Sequence, residues 1–464
     1  MITQFKDIIN TPCGIRYFYD QLDIQSSIGR RTLLDMELLT NPVDIEASYA
    51  SLQWAIELLK MPHLSTSITQ KLGQLKDIQG TLNRLQADQI LDDIDLYEIK
   101  HFALLATEIK RIVPPSDNVH AVVLPLLDTV ISLLDPEQQH IATFYVYDAY
   151  SEELRQLRHL LKTAPEDDIL LFDRMQDLEQ QIRTQLSRQL QPYARTLTTA
   201  LHTLARFDIL LAKAKQVANM ELCVPQISSI KTSYQGLFHP EVAELLKQKN
   251  KQFQRINFSF DDTPNVITGV NMGGKTLILK MLGLCQYLFQ FGFGIPAHQA
   301  KIGIKQAIYL CIGDDQSIQQ GLSSFAAEML RMNEIIKAGK TTNNLLALVD
   351  EPAHTTNPIE GTALVEAFIN AIQDQKTALI ITTHYTLSNL TCKQFKVMGF
   401  DSSNHNSHTT LDQLSAGIDY TLIEVTDGQV PHEALKIASI LEVDQQWITE
   451  AKKILKDKIS HHAK

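Results

Sequence analysis

Cysteine is scarce and scattered: Cys13, Cys223, Cys285, Cys311 and Cys392 are odd in number and never form a Cys-x-x-Cys pair. That pattern excludes a disulfide framework and offers no zinc-type spacing, so buried free thiols are expected. Long apolar runs are missing as well. No stretch approaches the ~20 uninterrupted apolar residues of a membrane span, and the opening MITQFKDIIN carries acid and base where a signal peptide needs an apolar core. A cytoplasmic protein with no membrane partner is the expectation. Basic charge is in deficit: 42 Lys and Arg stand against 53 Asp and Glu, a net charge of −11. Residues 1–250 carry 24 basic and 32 acidic side chains and the remainder 18 and 21, so both halves are acidic. A protein that grips duplex nucleic acid unaided usually shows a positive face, because neutralising phosphates supplies most non-specific affinity. Only small patches, such as Arg30-Arg31 or Lys247, Lys249, Lys251 and Arg255, offer one here.

What is present is ordinary globular sequence, 44% hydrophobic and 20% charged over 464 residues, enough for two to four domains. The first ~230 residues read as helical. Leu178, Ile182, Leu186 and Leu190, followed past Pro192 by Leu197, Leu201, Leu204 and Leu211, make a stripe that buries one face of a long helix. Pro192 should kink or break that helix. The stretch from Pro192 to Asn219 would extend about 40 Å as helix, a length that suits a rigid lever. Beyond residue 230 short apolar strands alternate with helices: INFSF (256–260), NVITG (265–269), AIYLCIG (307–313), LLALVD (345–350) and TALIITTH (377–384). Strands so apolar are usually buried on both faces, as in a mainly parallel sheet covered by helices. The fold class expected is α plus α/β, with a helical domain over 1–230 and an α/β domain over 231–464. His405, His408, His461 and His462 sit in polar, loop-like sequence and are read as solvated rather than metal-binding.

The chemistry is concentrated after residue 265. Gly269-Val270-Asn271-Met272-Gly273-Gly274-Lys275-Thr276 fits G-x4-G-K-[ST], follows an apolar strand and opens a helix from Leu277 to Phe289. Glycines let backbone N–H groups converge on a β-phosphate, Lys275 reaches the β/γ oxygens and Thr276 binds Mg²⁺. Asp350-Glu351 ends the next apolar strand but one. Asp350 would hold the Mg²⁺ shell and Glu351 would polarise the attacking water. Asn357-Pro358-Ile359-Glu360 has the pattern of a helix start, which accounts for its Asn and Pro structurally. His384 closes another strand and reads either as structural or as a γ-phosphate sensor. Gly321-Leu322-Ser323-Ser324-Phe325 should cap a helix running to about Lys337, with Gly339 beyond its end. Its serines read either as a plain cap or as donors to an anion.

The order of these elements, and their wording, resembles the MutS family. GVNMGGKT resembles G-P-N-M-G-G-K-S, SSFAAEM resembles S-T-F-x-x-E-M, TTHY resembles A-T-H-Y, and DEPAHTTNPIEGTAL resembles D-E-x-G-x-G-T-x-x-x-[DE]-G-x-A-L. IPAHQAKIG, LFHPEV and the helical segment from Ser26 to Leu59 are similar to the family's corresponding stretches. The resemblance implies a core and lever domain followed by a P-loop ATPase of the ABC type, with a C-terminal helical dimerisation segment. It implies a homodimer with composite ATP sites, in which Gly269, Asn271, Gly273, Gly274, Lys275, Thr276, Asp350, Glu351 and His384 serve one nucleotide. Ser323 or Ser324 would serve the nucleotide of the other subunit, and Phe253 is a candidate for stacking on adenine.

Departures from the family wording matter too. The lever-like pattern begins within about 30 residues of Met1, and only the stretch from Lys162 to Arg174 separates two helical patterns where mismatch-reading members insert a DNA-gripping clamp. Ala353-His354-Thr355 replaces Gly-x-Gly after Asp-Glu. Mismatch reading is therefore not expected. Two functions remain: a DNA-processing ATPase that binds DNA weakly and without mismatch selectivity, and an ATP-driven remodeller or reactivase of a partner enzyme, for example an adenosylcobalamin-dependent aminomutase. A nucleotide kinase is disfavoured, since the serine-capped element and His384 would be idle.

Overall fold

The computed structural model describes residues 3–114, 122–163, 169–269, 274–313, 324–387, 390–400, 418–425, 444, 446–451 and 453–454. Asn271, Gly273, Ser323 and the side chain of Ser324 lie outside the described residues, as do His405, His408, His461 and His462. Helices come first in the chain: α1 (Phe5–Ile8), α2 (Ile15–Asp20), α3 (Ser27–Leu34), α4 (Pro42–Leu59), α5 (Pro62–Leu72), α6 (Gln79–Gln86), α7 (Asp93–Ile112), α8 (Asp128–Leu134), α9 (Glu152–Thr163), α10 (Ile169–Leu190) and α11 (Ala194–Asn219). Then follow β1 (Gln226–Ser228), β2 (Thr232–Leu237), α12 (Pro240–Gln248), β3 (Ile256–Phe260), β4 (Asn265–Thr268), α13 (Lys275–Gln290), β5 (Gln299–Gly303) and β6 (Ala307–Cys311). The series closes with α14 (Ser324–Thr341), β7 (Leu345–Asp350), α15 (Pro358–Gln373), β8 (Thr377–Thr382), β9 (Lys393–Phe400) and β10 (Ile418–Val425).

The chain divides into two compact units. Unit 1 comprises residues 1–6, 22–37 and 46–216; unit 2 comprises 7–21, 38–45 and 217–464. In unit 1, Pro192 falls in a single 3-10 turn, Gln191–Tyr193, between α10 and α11, because it cannot donate the hydrogen bond that would continue the helix. Leu186, Leu190, Leu197, Leu201 and Leu204 of the apolar stripe are all buried. Asp208 of α11 is buried and accepts from Gln25 N (3.1 Å), Ser26 N (2.7 Å) and Ser26 Oγ (2.6 Å), which fixes the start of α3. A second buried polar cluster joins Lys100 of α7 to Asp135 (2.9 Å) and to the Tyr147 hydroxyl (2.7 Å). Each charge has partners, as burial demands. Helices α9 and α10 bracket only residues 164–168, narrower than the gap the helical pattern suggests, since helix extends to Thr163 and resumes at Ile169.

Unit 2 holds both sheets. The larger has strand order β10-β9-β4-β8-β7-β6, parallel throughout except for the antiparallel β9–β10 pair; the smaller has order β1-β5-β2-β3. Strands β4 and β8 are buried along their whole length and β7 along all but its last residue, which is why their centres are apolar. Ile335 of α14 and Val365, Phe368, Ile369 and Ile372 of α15 cover one face against Ala347, Val349, Leu379 and Ile381. Helix α13 covers the other, with Gly283 against Leu310 and Leu348. The N-terminal segment contributes to this core: Phe18 meets Phe293 edge to face at 5.9 Å, and Gln290 Nε2 donates to the carbonyls of Leu39 and Lys305 at 2.8 Å. One sequence expectation is corrected. Gly339 lies inside α14, which runs on to Thr341; a Cβ there would overlap the Gln375 side chain, so the glycine serves close packing rather than ending the helix.

Candidate functional site

Parallel strands end their carboxyl groups on one edge, and here β4, β7 and β8 bring three sequence-distant segments to that edge. From β4 the chain passes through Gly269 to Gly274, which has φ of +72° and precedes α13. A Cβ at Gly274 would lie 2.9 Å from the Tyr420 ring, so both conformation and space call for glycine. Lys275, the first residue of α13, is 3% exposed; its Nζ donates to Gly269 O at 2.8 Å and lies 3.1 Å from Glu351 Oε1. Thr276 Oγ1 donates to Asp350 Oδ2 at 2.7 Å. The register of β7 and β8 pairs Asp350 with Thr382, whose hydroxyl donates to Asp350 Oδ1 at 2.6 Å and accepts from Glu351 N at 3.0 Å.

These contacts put Lys275, Thr276, Asp350 and Glu351 together. Thr276, Asp350 and Glu351 share a cleft of about 330 Å³ with Cys311, Gly313, Glu328, Arg331 and His354. A threonine hydroxyl and a carboxylate converging at one point are hard oxygen donors, a set that fits Mg²⁺, which takes one or two protein ligands and completes its shell with water and phosphate. His384 follows β8 at the surface with its ring 4.5 Å from that of Tyr385, and it is not among the residues that line this cleft. The segment carrying Phe253 lies beside β10: Gln254 Nε2 donates to Asp419 Oδ1 (2.6 Å) and Tyr420 N donates to Gln254 Oε1 (3.0 Å). Burial pushes the Tyr420 phenol up, so it keeps its proton beside the loop.

The model of the family described as MutS domain V matches residues 265–458, a span that contains every strand and loop of this edge. Over that span the chain is similar to MutS domain V.

Among similar proteins, the one named endonuclease MutS2 from Ligilactobacillus salivarius is 33% identical over 276 residues, covering 59% of this chain and 33% of its own. The namesake from Streptococcus uberis is 31% identical over 300 residues, covering 64% and 36%. A further one from Streptococcus thermophilus is 24% identical and covers 93% of this chain and 62% of its own. The aligned segment thus spans about a third of the length of the first two relatives.

Three further residues reach the Asp-Glu turn from elements remote in sequence: Thr382, Glu328 and Tyr385. Thr382 is legible only once β7 and β8 are set in register. Glu328 and Tyr385 stand at the Glu and Tyr positions of SSFAAEM and TTHY, so those motifs mark the residues but not their contact with the Asp-Glu turn. A larger cleft of about 400 Å³ lies at the opposite ends of the strands, lined by Ser228, Lys231, Asp262, Lys305 and Asn344. Its buried Lys305 is already paired with Asp262 at 3.2 Å, and nothing in it converges on a reacting atom.

Proposed function

We propose that this chain binds and hydrolyses Mg·ATP, and that the observation carrying this is the convergence of Lys275, Thr276, Asp350 and Glu351 where β4, β7 and β8 end. The backbone of Gly269, Asn271, Gly273 and Gly274 cradles the phosphates, and Lys275 binds the β/γ oxygens. Thr276 and Asp350 would hold Mg²⁺, whose charge would offset that of the phosphates. In the arrangement observed, Lys275 pairs with Glu351. Phosphate oxygens replace that carboxylate as the partner of Lys275, and the freed Glu351 polarises the attacking water. His384 is assigned to sensing the γ-phosphate and Phe253 to the adenine.

The molecular setting of this reading is a helical core and lever domain over 1–230, followed by a P-loop ATPase domain over 231–464 ending in a helical dimerisation segment. Two copies form a homodimer in which Ser323 and Ser324 of one complete the nucleotide site of the other. ATP binding and hydrolysis then alternate the paired levers between two states. The partner held by them is DNA, gripped weakly and without mismatch preference; the acidic charge of both halves supports weak grip. The second reading, a partner enzyme reactivated by the levers, is favoured by that same charge. The nuclease named for the relatives is not carried over, because the first two alignments leave about two thirds of those proteins uncovered.

Calorimetry with ATP, alongside phosphate release by the wild type and by Glu351→Gln, tests the assignment. The variant should keep nucleotide affinity and lose turnover at least tenfold, since an amide holds the water but cannot draw off its proton. Wild-type turnover would move the base elsewhere. Phosphate release measured with matched duplex, mismatched duplex, junction DNA and cell extract separates the two partners. DNA binding should show a shallow salt slope of about one unit per phosphate contact. Several-fold mismatch preference would overturn the weak, non-selective grip.

A further inference from the structure

The turn after the catalytic pair is bent in an unusual way. Glu351 has φ of +42° and Ala353 φ of +58°, left-handed values that a side chain disfavours. The Ala353 peptide groups are gripped from both sides. Ala353 N donates to Glu328 Oε1 at 3.0 Å, and the Tyr385 hydroxyl donates to Ala353 O at 2.7 Å. Glu328 sits on α14, the helix that begins at Ser324, and Tyr385 follows His384. A Cβ on Gly361, the fourth residue of α15, would fall 2.5 Å from the Tyr385 hydroxyl, so glycine there leaves the phenol room to reach Ala353. Tyr385 is buried, and burial followed by the nearby Glu328 and Glu351 carboxylates pushes its phenol up, which keeps it a donor.

We propose that Glu328 and Tyr385 are positioning residues for hydrolysis: by holding the N–H and the C=O of Ala353 they fix the left-handed bend that presents Glu351 to the cleft. This rests on the reading of Glu351 as the base. Strain at a non-glycine residue persists only where surrounding contacts over-determine it, and two hydrogen bonds from separate elements to one residue supply that. The helix that starts at the serines thereby also sets the geometry of the carboxylate.

Steady-state hydrolysis and ATP binding by calorimetry, on the full chain, test the proposal. Tyr385→Phe keeps the ring and its packing and removes only the hydroxyl. Glu328→Gln keeps an oxygen able to accept from Ala353 N, whereas Glu328→Ala does not. Tyr385→Phe and Glu328→Ala should lower kcat about tenfold with Kd for ATP within about threefold of wild type. Glu328→Gln should restore kcat to within about threefold. If Glu328→Gln is as slow as Glu328→Ala, the carboxylate acts chemically and the positioning role falls. If Tyr385→Phe and Glu328→Ala turn over like wild type while Glu351→Gln is inactive, the clamp is dispensable and the proposal is overturned. Normal turnover by Glu351→Gln would instead overturn the reading beneath it.

Discussion

In the proposed function, Lys275 is the one buried cation that takes the phosphate. At 3% exposure its ammonium is held by a carbonyl and by Glu351, so it is preplaced rather than searching among rotamers. Lys275→Ala should weaken ATP binding by at least tenfold in calorimetry, because the β/γ oxygens lose their charged donor. The thermal transition should stay cooperative, since the lost ion pair is half-open on the Glu351 side. Unchanged affinity would remove the phosphate-loop assignment. At this scale the sequence is informative where chemistry is contiguous. The run from Gly269 to Thr276 is readable as one string, and Asp350-Glu351 as a strand ending in acid. The motifs SSFAAEM and TTHY contain Glu328, Thr382 and Tyr385, but their contacts are not readable, since each reaches a neighbour 25 or more positions away, across a parallel register or a helix contact.

Elements differ in how openly the sequence declares them. Strands β3 and β7 match the sequence expectation residue for residue, and β4, β6 and β8 begin where expected; β6, β7 and β8 show as largely apolar runs, whereas the edge strand β3 shows as an alternating pattern. Strands β1, β2, β5, β9 and β10 carry no such signature. The five residues of β5 alternate exposed and buried, too short a pattern to stand out, and β10 is an edge strand carrying Asp419, Thr421 and Glu424. Pairing decides such strands, and pairing is not local. The helices over the sheet carry the energy of this layer. Ile369 of α15 is fully buried against the strands, so Ile369→Ala should lower the stability of unit 2 by about 2–5 kcal/mol through lost burial and the cavity left behind. Urea unfolding followed by circular dichroism would read it, and a change below about 1 kcal/mol would mean that the layer collapses to fill the gap.

At the scale of the whole molecule, unit 2 is discontinuous. His239 shows how its parts are joined: the imidazole is buried against Gly14, and burial, with Lys280 adding to it, pulls its pKa down to about 4. An unfolded histidine titrates near 6.5. Between these values the unfolded chain binds the extra proton, so stability is complete above pH ~6.5 and falls as pH drops toward 4, by about 2 kcal/mol at pH 5. Thermal melts from pH 7 to pH 5 should show that decline, and it should flatten in His239→Gln. A variant with the wild-type slope would assign the acid sensitivity to other groups. Among the described residues no helix is long and apolar enough to cross a membrane. The split ownership of the N-terminal region also sets a timetable for synthesis. Residues 7–21 belong to unit 2, yet Phe293, the partner of Phe18, is made some 275 positions later. At ~5–20 residues per second that delay is about 15–55 s. Throughout it Ile15 and Phe18 emerge from the ribosome with nowhere to be buried, and unit 1 must complete its own fold without capturing them.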